Sequence, residues 1–200
     1  MLNIRNVITI LLLILVFSCS RKEDNRYDMY LTHYKRSISI NLPKSYDTLN
    51  IWDNYSDNVM DDRKCYRVQN SKLGVLMESG MFYKTEKTQF EQFTISEPRA
   101  FNKFAPFELK TWASDKKQLL EEEKINIEVT TDSIIINNRT FGVLKVMMPF
   151  NDAVDKSITF GTNLNGELIE FVFYTNLSNK ENFFIDAEAS METLEIKYSQ

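Results

Sequence analysis

The sequence is poor in the residues that carry most catalytic and metal chemistry. Its 200 residues include one histidine, His33, and two cysteines, Cys19 and Cys65. A histidine-based triad needs its histidine held by packed neighbours, and a zinc site needs several histidine or cysteine ligands. His33 stands in or beside a polar N-terminal segment. We therefore expect no catalytic residues, no metal site and no bound cofactor.

Glycine, proline and excess positive charge are also scarce. Five glycines and four prolines argue against fibrous or low-complexity structure, and no glycine-rich phosphate loop is present. The formal net charge is −4, with basic residues spread along the chain. Nucleic-acid binding needs a basic face against phosphates, so we exclude it. The 43% hydrophobic content is ample for the core of a single domain.

The first eighteen residues predict a signal peptide. A short region with Arg5 precedes the apolar run 7–17, which is shorter than the roughly 20 residues needed to span a bilayer but typical of a signal peptide. The run Val16-Phe17-Ser18-Cys19 resembles the lipobox of bacterial lipoproteins. The resemblance implies cleavage after residue 18 and a lasting lipid anchor on Cys19. An uncleaved anchor helix, or a secretory signal with a chance cysteine, is the alternative.

Residues 19–35 are predicted to form a flexible tether, because Ser20 to Tyr34 is polar and lacks apolar periodicity. Ser20 after the cysteine favours the outer membrane. Lys22-Glu23-Asp24 resembles the export signal of Bacteroidota lipoproteins, which leaves the periplasmic and cell-surface sides both open.

Residues 36–200 predict one α+β domain. Ser37 to Leu42 alternates polar and apolar residues, as a half-buried strand does, and Pro43 ends it. Tyr46 to Asp62 is predicted to be a long polar loop. With Cys19 acylated, Cys65 cannot form an intramolecular disulfide, and we expect it to be a small buried residue in a strand. Further strands are predicted at 64–68, 73–83, 89–96, 125–130, 133–136, 140–148, 157–162 and 167–174, with tight turns at Asn137-Asn138 and Asn165-Gly166.

Two amphipathic helices complete the domain. In residues 107–123, Trp112, Leu119 and Leu120 share one face. Ser178 to Glu181 forms a capping box, and apolar residues then recur at three- and four-residue steps, which predicts a C-terminal helix. Those apolar residues are Phe184, Ala187, Met191 and Leu194.

The order of these elements resembles the PsbP-like family. The strand Ile38 to Leu42 with its exit at Pro43, the hairpin through Asn165-Gly166 and the helix ending at 194–197 carry the resemblance. It implies a central antiparallel β-sheet flanked by helices on both faces, an α/β/α sandwich. Members of this superfamily mostly act as scaffolding or binding subunits, which favours a non-enzyme.

Two kinds of site are predicted outside the anchor. Phe101, Phe104 and Phe107 form an irregular aromatic segment, which we expect to bind a partner or to join the core. Thr48 and Ser133 lie in Asp-Thr-Leu and Asp-Ser-Ile tripeptides that resemble O-glycosylation acceptors of Bacteroidota. Local turn chemistry explains these tripeptides equally well.

The leading interpretation is a non-catalytic, membrane-anchored accessory module that binds a protein in the cell envelope. One form of it is an immunity protein against a toxin from neighbouring bacteria. Capture of a small apolar or glycan ligand is the alternative and requires a preformed cavity between sheet and helix. A hydrolase would require its acidic residues to converge in a pocket. The densest acidic group is Asp53, Asp57, Asp61 and Asp62.

Overall fold

The computed structural model describes residues 24–32, 34–53, 64–73, 89–96, 109–122, 127–150 and 153–198. These residues form strands β1 (Asp24–Leu31), β2 (Arg36–Pro43), β3 (Thr48–Asp53), β4 (Lys64–Gln69), β5 (Glu91–Ser96), β6 (Glu128–Ile136), β7 (Arg139–Phe150), β8 (Ala153–Leu164), β9 (Glu167–Thr175) and β10 (Glu195–Tyr198), with helices α1 (Leu109–Glu122) and α2 (Phe183–Glu192).

A small sheet has the strand order β1-β2-β10, and β1 pairs with β2 from Asp24 opposite Pro43 to Leu31 opposite Arg36. The prediction of a flexible tether is therefore wrong for residues 24–31. Met29 and Leu31 are buried, and outward-facing polar residues alternate with them. This period of two is sufficient to bury one face of a strand, and the hydroxyl of Tyr27 donates to the carbonyl of Tyr46 at 2.7 Å.

A large antiparallel sheet has the order β3-β4-β5-β9-β8-β7-β6. The two predicted tight turns join its longest strands. Asn137 and Asn138 have φ of 48° and 62°, and Asn165 and Gly166 have φ of 55° and 88°. Two successive residues with positive φ define the turn that matches the twist of a hairpin, so these two predictions are confirmed.

The predicted long polar loop at Tyr46 to Asp62 is wrong in its first part. Tyr46 is buried, and β3 pairs along its whole length with β4, from Thr48 opposite Gln69. Backbone hydrogen bonds rather than an apolar pattern define this strand, because Ile51 is exposed and Leu49 only half-buried. Thr48-Leu49-Asn50-Ile51 does alternate polar and apolar residues, but four residues are a short signal inside a polar stretch. Residues 54–63 lie outside the described residues.

The core lies between the two sheets. Five phenylalanines of the large sheet are at most 1% exposed, and we call them the aromatic core: Phe93, Phe141, Phe160, Phe171 and Phe173. Ile38 and Ile40 of β2 and Met191 of α2 belong to the same cluster. The coarse prediction of an antiparallel β fold with helices packed on it is confirmed. The predicted single central sheet is corrected to two sheets, because β1, β2 and β10 pair with one another and with no strand of the large sheet.

The C-terminal helix begins later than predicted. Its N-cap is Asn182, without a side-chain capping bond, and residues 178–179 form a turn. The Ser178 capping box is therefore not used. The helix stops at Glu192, and the hydroxyl of Thr193 donates to Ser190 O at 2.7 Å. The residues after Leu194, which were predicted to end the helix, form β10 instead.

Helix α1 matches the predicted helix at 107–123 within two residues. Trp112 is 5% exposed, whereas Leu119, predicted on the same face of the helix, is 62% exposed. Within the described ranges, no helix is long and apolar enough to cross a bilayer.

Candidate functional site

The large sheet has a second face, turned away from the aromatic core. Side chains alternate along a strand, so Phe171 and Phe173 of β9 point to the core while Glu170, Val172 and Tyr174 point away from it. Strand pairing places Val172 beside Thr159 of β8. We call this surface of β6 to β9 the outer face. Its side chains on β7 and β8 are Leu144, Val146, Met148, Asp155, Ser157 and Thr159.

Helix α1 is fixed to the outer face by Trp112. Gly142 and Gly161 are directly paired across β7 and β8, so this row of the sheet has no side chains on those two strands. The indole ring fills the place, and a Cβ atom added to Gly161 would lie 2.8 Å from it. The ring nitrogen Nε1 of Trp112 donates to Oε1 of Glu170 at 3.1 Å, and Nζ of Lys116 lies 2.5 Å from the same oxygen.

A cleft of about 470 Å³ lies between α1 and the outer face. This volume is within the range of small-molecule sites, about 300–1,000 Å³. The cleft gives the exposed Leu119 a structural role, because that side chain forms part of its wall. Seven of its lining residues are apolar: Leu119, Leu120, Ile127, Leu144, Val146, Met148 and Val172.

One end of the cleft carries a buried carboxyl and a phenol. Asp155 is 2% exposed, and the hydroxyl of Tyr174 donates to its Oδ2 at 2.7 Å. Burial raises the pKa of Tyr174, and the hydrogen bond to Asp155 raises it further. The phenol therefore stays protonated at neutral pH, and its hydroxyl remains the hydrogen-bond donor to Asp155. This end of the cleft offers hydrogen-bonding groups, whereas the middle is apolar.

A second polar cluster lies in the interior rather than in the cleft. The side chain of Glu91 is 2% exposed, and its Oε1 lies 2.5 Å from Nζ of Lys180. Asn70 donates to the other carboxylate oxygen at 3.2 Å. The adjoining cavity, which Tyr46 also lines, measures about 10 Å³, about the space for one water. Burial, followed by the charges of Glu91 and Asp186, raises the pKa of Tyr46. The cluster is a structural ion pair, and the cavity beside it is too small for a ligand.

The structure separates the two predicted glycosylation residues. Thr48 begins β3 and Ser133 lies in β6, at opposite edges of the large sheet. The hydroxyl of Thr48 donates to Asp47 at 3.1 Å, and the backbone amide of Ser133 donates to Asp132 at 2.7 Å. Both residues stand in strands rather than turns, and Ser133 is exposed. Their modification stays a prediction.

Several other predicted residues lie outside the described residues: Cys19, His33, Asp57, Asp61, Asp62, Phe101, Phe104 and Phe107. Asp53 is the last residue of β3. Cys65 lies in β4 as predicted but is only half-buried. In the part of the chain that the structure describes, no group of three or more His, Cys, Asp or Glu residues is placed to hold a metal ion.

No protein-family model and no curated protein matches this chain. Similar solved structures include the cyanobacterial PsbP (CyanoP) of Synechocystis sp. PCC 6803, 8% identical, covering 90% of this chain and 96% of that chain with a TM-score of 0.48. The Ran-binding protein Mog1p of Saccharomyces cerevisiae is 11% identical, with 86% and 96% covered and a TM-score of 0.43. LpqN of Mycobacterium tuberculosis, involved in cell envelope biogenesis, is 10% identical, with 88% and 92% covered and a TM-score of 0.35. These similarities concern the fold, at 8–11% sequence identity.

Proposed function

We propose that this chain is a non-catalytic binding protein of the cell envelope, and that it holds a small, largely apolar ligand between α1 and the outer face. The observation that carries the proposal is the cleft of about 470 Å³ with seven apolar lining residues. A preformed apolar cavity with a few polar groups is the usual form of a small-molecule site. Capture of a small ligand requires a preformed cavity between sheet and helix, and the cleft supports the proposal for this reason.

We also infer that α1 and α2 lie on opposite faces of the large sheet. Trp112 of α1 packs against Gly161 on the outer face. Phe183 and Met191 of α2 cluster with Phe171 of the aromatic core, which points the other way from β9. A ligand in the cleft would therefore be separated from the core by the sheet, and binding would not require the core to open.

Filling the cleft is expected to weaken binding of an apolar probe. Val172 lines the cleft beside Thr159 of β8, so Val172→Trp places an indole where the ligand would lie. Titration of the protein with the neutral fluorophore N-phenylnaphthylamine should give saturable binding, weakened at least roughly tenfold by Val172→Trp, equivalent to about 1.4 kcal/mol.

The matched control is Ile185→Trp, which adds the same ring at a position of α2 that is 64% exposed. We expect it to bind the probe like the unaltered protein. Both variants are checked for an unchanged thermal unfolding transition. Absence of saturable binding to the unaltered protein, or equal binding by Val172→Trp, would contradict the proposal.

We further propose that the protein is an outer-membrane lipoprotein anchored through Cys19, on either the periplasmic or the cell-surface side. The lipobox-like run and the polar residues after it support this location. Because β1 begins at Asp24, residues 19–23 alone link the lipid to the sheet. Even fully extended, they would reach only about 17 Å. The anchored domain would therefore stay close to the membrane surface.

Removal of the acylated cysteine is expected to release the protein. Cys19→Ala should move it from the membrane fraction to the soluble fraction and remove the lipid mass from its N-terminal peptide. The control is Cys65→Ala, which replaces the only other cysteine and keeps Cys19. This variant should remain in the membrane fraction. If the N-terminal peptide of the unaltered protein carries no lipid and still begins at Met1, the uncleaved anchor helix is the correct interpretation.

Protein binding through Phe101, Phe104 and Phe107, including an immunity role, stays a prediction from the sequence. These residues immediately precede α1, whose own side chains line the cleft.

A further inference from the structure

We propose that the ligand of the cleft is a neutral amphiphile with a single unbranched aliphatic chain, and that Trp112 sets the length of chain the cleft accepts. This inference rests on the proposed binding function and adds the chemical class of the ligand. The residue concerned, Trp112, covers the row of the sheet directly beyond the last row that lines the cleft.

The cleft follows the direction of the strands. On β8, three successive outward positions line it, Asp155, Ser157 and Thr159. At about 3.3 Å per residue, the first and last of these lie about 13 Å apart. The neighbouring strand β7 contributes three positions in the same way, Leu144, Val146 and Met148. Lining residues that extend about 13 Å along the strands give room for an extended aliphatic chain.

The next outward position on β8 is Gly161, and its partner on β7 is Gly142. Neither residue has a side chain to close the cleft. The indole of Trp112 fills this position instead, and its ring atoms come within 2.8–2.9 Å of a Cβ built on Gly161. Trp112 is therefore the end wall, and the salt bridge from Lys116 to Glu170 stands beside it.

The opposite end of the cleft suits a polar head group. Tyr174 and Ser157 are both partly exposed there, and Tyr174 donates to Asp155. Phenol and hydroxyl oxygens can accept and donate hydrogen bonds, which fits an alcohol or an ester better than a bare hydrocarbon. The one basic residue among those that line the cleft, Lys116, pairs with Glu170 beside Trp112, so the polar end offers no cation to an anionic head. The tail would therefore point toward Trp112.

The test is a competition series in which n-octanol, n-decanol, n-dodecanol and n-tetradecanol displace N-phenylnaphthylamine from the protein. Affinity is expected to rise about fourfold per methylene, corresponding to about 0.8 kcal/mol. The rise should stop at a particular chain length, beyond which affinity stays constant within roughly twofold. A continuous rise through the whole series, or no dependence on length, would overturn the inference.

Two variants move the end wall in opposite directions. Trp112→Leu replaces the indole by a smaller side chain, so the chain length at which affinity stops rising should increase. Thr159→Leu fills the last lined position, so this limiting chain length should decrease. Ile185→Trp, at an exposed position of α2 outside the cleft, should leave the limiting chain length unchanged. If Trp112→Leu does not fold, the test rests on Thr159→Leu. An unchanged limiting chain length in Thr159→Leu would contradict the inference. Failure of the probe itself to bind would instead reject the proposed function.

Discussion

Replacing Lys180 by methionine is expected to lower the free energy of unfolding by about 3–5 kcal/mol, the cost of leaving one member of a buried ion pair without its partner. The carboxylate concerned is that of Glu91, whose side chain is 2% exposed and lies 2.5 Å from Nζ of Lys180. Methionine keeps the length and apolar surface of the lysine stem and removes only its charge. The loss is measured by urea unfolding at neutral pH.

A double variant separates the effect of charge on stability from the effect of packing. In Glu91→Met/Lys180→Met, both charges are removed, and replacement of a buried pair by apolar residues is often neutral or stabilising. We therefore expect the double variant to recover most of the stability lost in Lys180→Met. The bond from Asn70 to Glu91 is lost in this variant, so the recovery should be incomplete. The contact from Nζ of Lys156 to the backbone carbonyl of residue 180 at 3.1 Å is independent of the substituted side chains.

The control is an ion pair of similar length on the surface. Lys197 lies 2.6 Å from Glu195, but the two side chains are 67% and 42% exposed. Solvent screens such pairs, so Lys197→Met should leave the unfolding transition unchanged. If Lys180→Met were equally harmless, the Glu91 carboxylate would have to be solvated or otherwise neutralised, and its role as a buried structural charge would be wrong.

The sequence predicted the large sheet well because its signals are local. Asn165-Gly166 favours a two-residue turn through its own backbone preferences, and the strands on both sides of it carry the apolar residues of the aromatic core. The run 168–174 has imperfect alternation, which predicted a central strand covered on both faces. Its side chains do face the core on one side and the cleft on the other, as Phe171 and Val172 show.

The elements that the sequence missed depend on partners distant in the chain. Tyr27, Met29 and Leu31 alternate correctly, but charged residues surround them, and their strand forms because β2 offers an edge for pairing. The helix that Ser178 was predicted to cap begins at Phe183 instead, while Lys180 pairs with Glu91 on a strand far earlier in the sequence. Tertiary contacts of this kind override local propensity.

The cleft could not be predicted because it depends on strand register. Gly142 and Gly161 become neighbours only when β7 and β8 pair with the observed alignment. A shift of one residue would turn each side chain to the other face, and Trp112 would lose its place on the sheet. The apolar residues of β7 were visible in the sequence, but the distance at which a helix would lie above them was not.

The contact between Trp112 and Gly161 is the second place where we expect a large effect on stability. Gly161→Ala adds one methyl group at a position where the indole ring would be 2.8 Å away. Overpacking of this kind costs about 1–3 kcal/mol. The helix would have to move away from the sheet, since the alternative is displacement of the strand, and β8 is hydrogen-bonded on both sides. The loss is measured by the same urea unfolding experiment.

A double-mutant cycle identifies the cause. If the methyl group acts by contact with the indole, Gly161→Ala should cost much less when Trp112 is already leucine, and the coupling between the two sites should be about 1 kcal/mol or more. Gly166→Ala provides the contrast, because nothing lies within 4 Å of its added Cβ and its cost comes from a φ of +88°. That cost should be the same with either residue at 112. Equal losses for Gly161→Ala in both backgrounds would mean that the indole is not seated on Gly161, and the end wall of the cleft would have to be formed by another group.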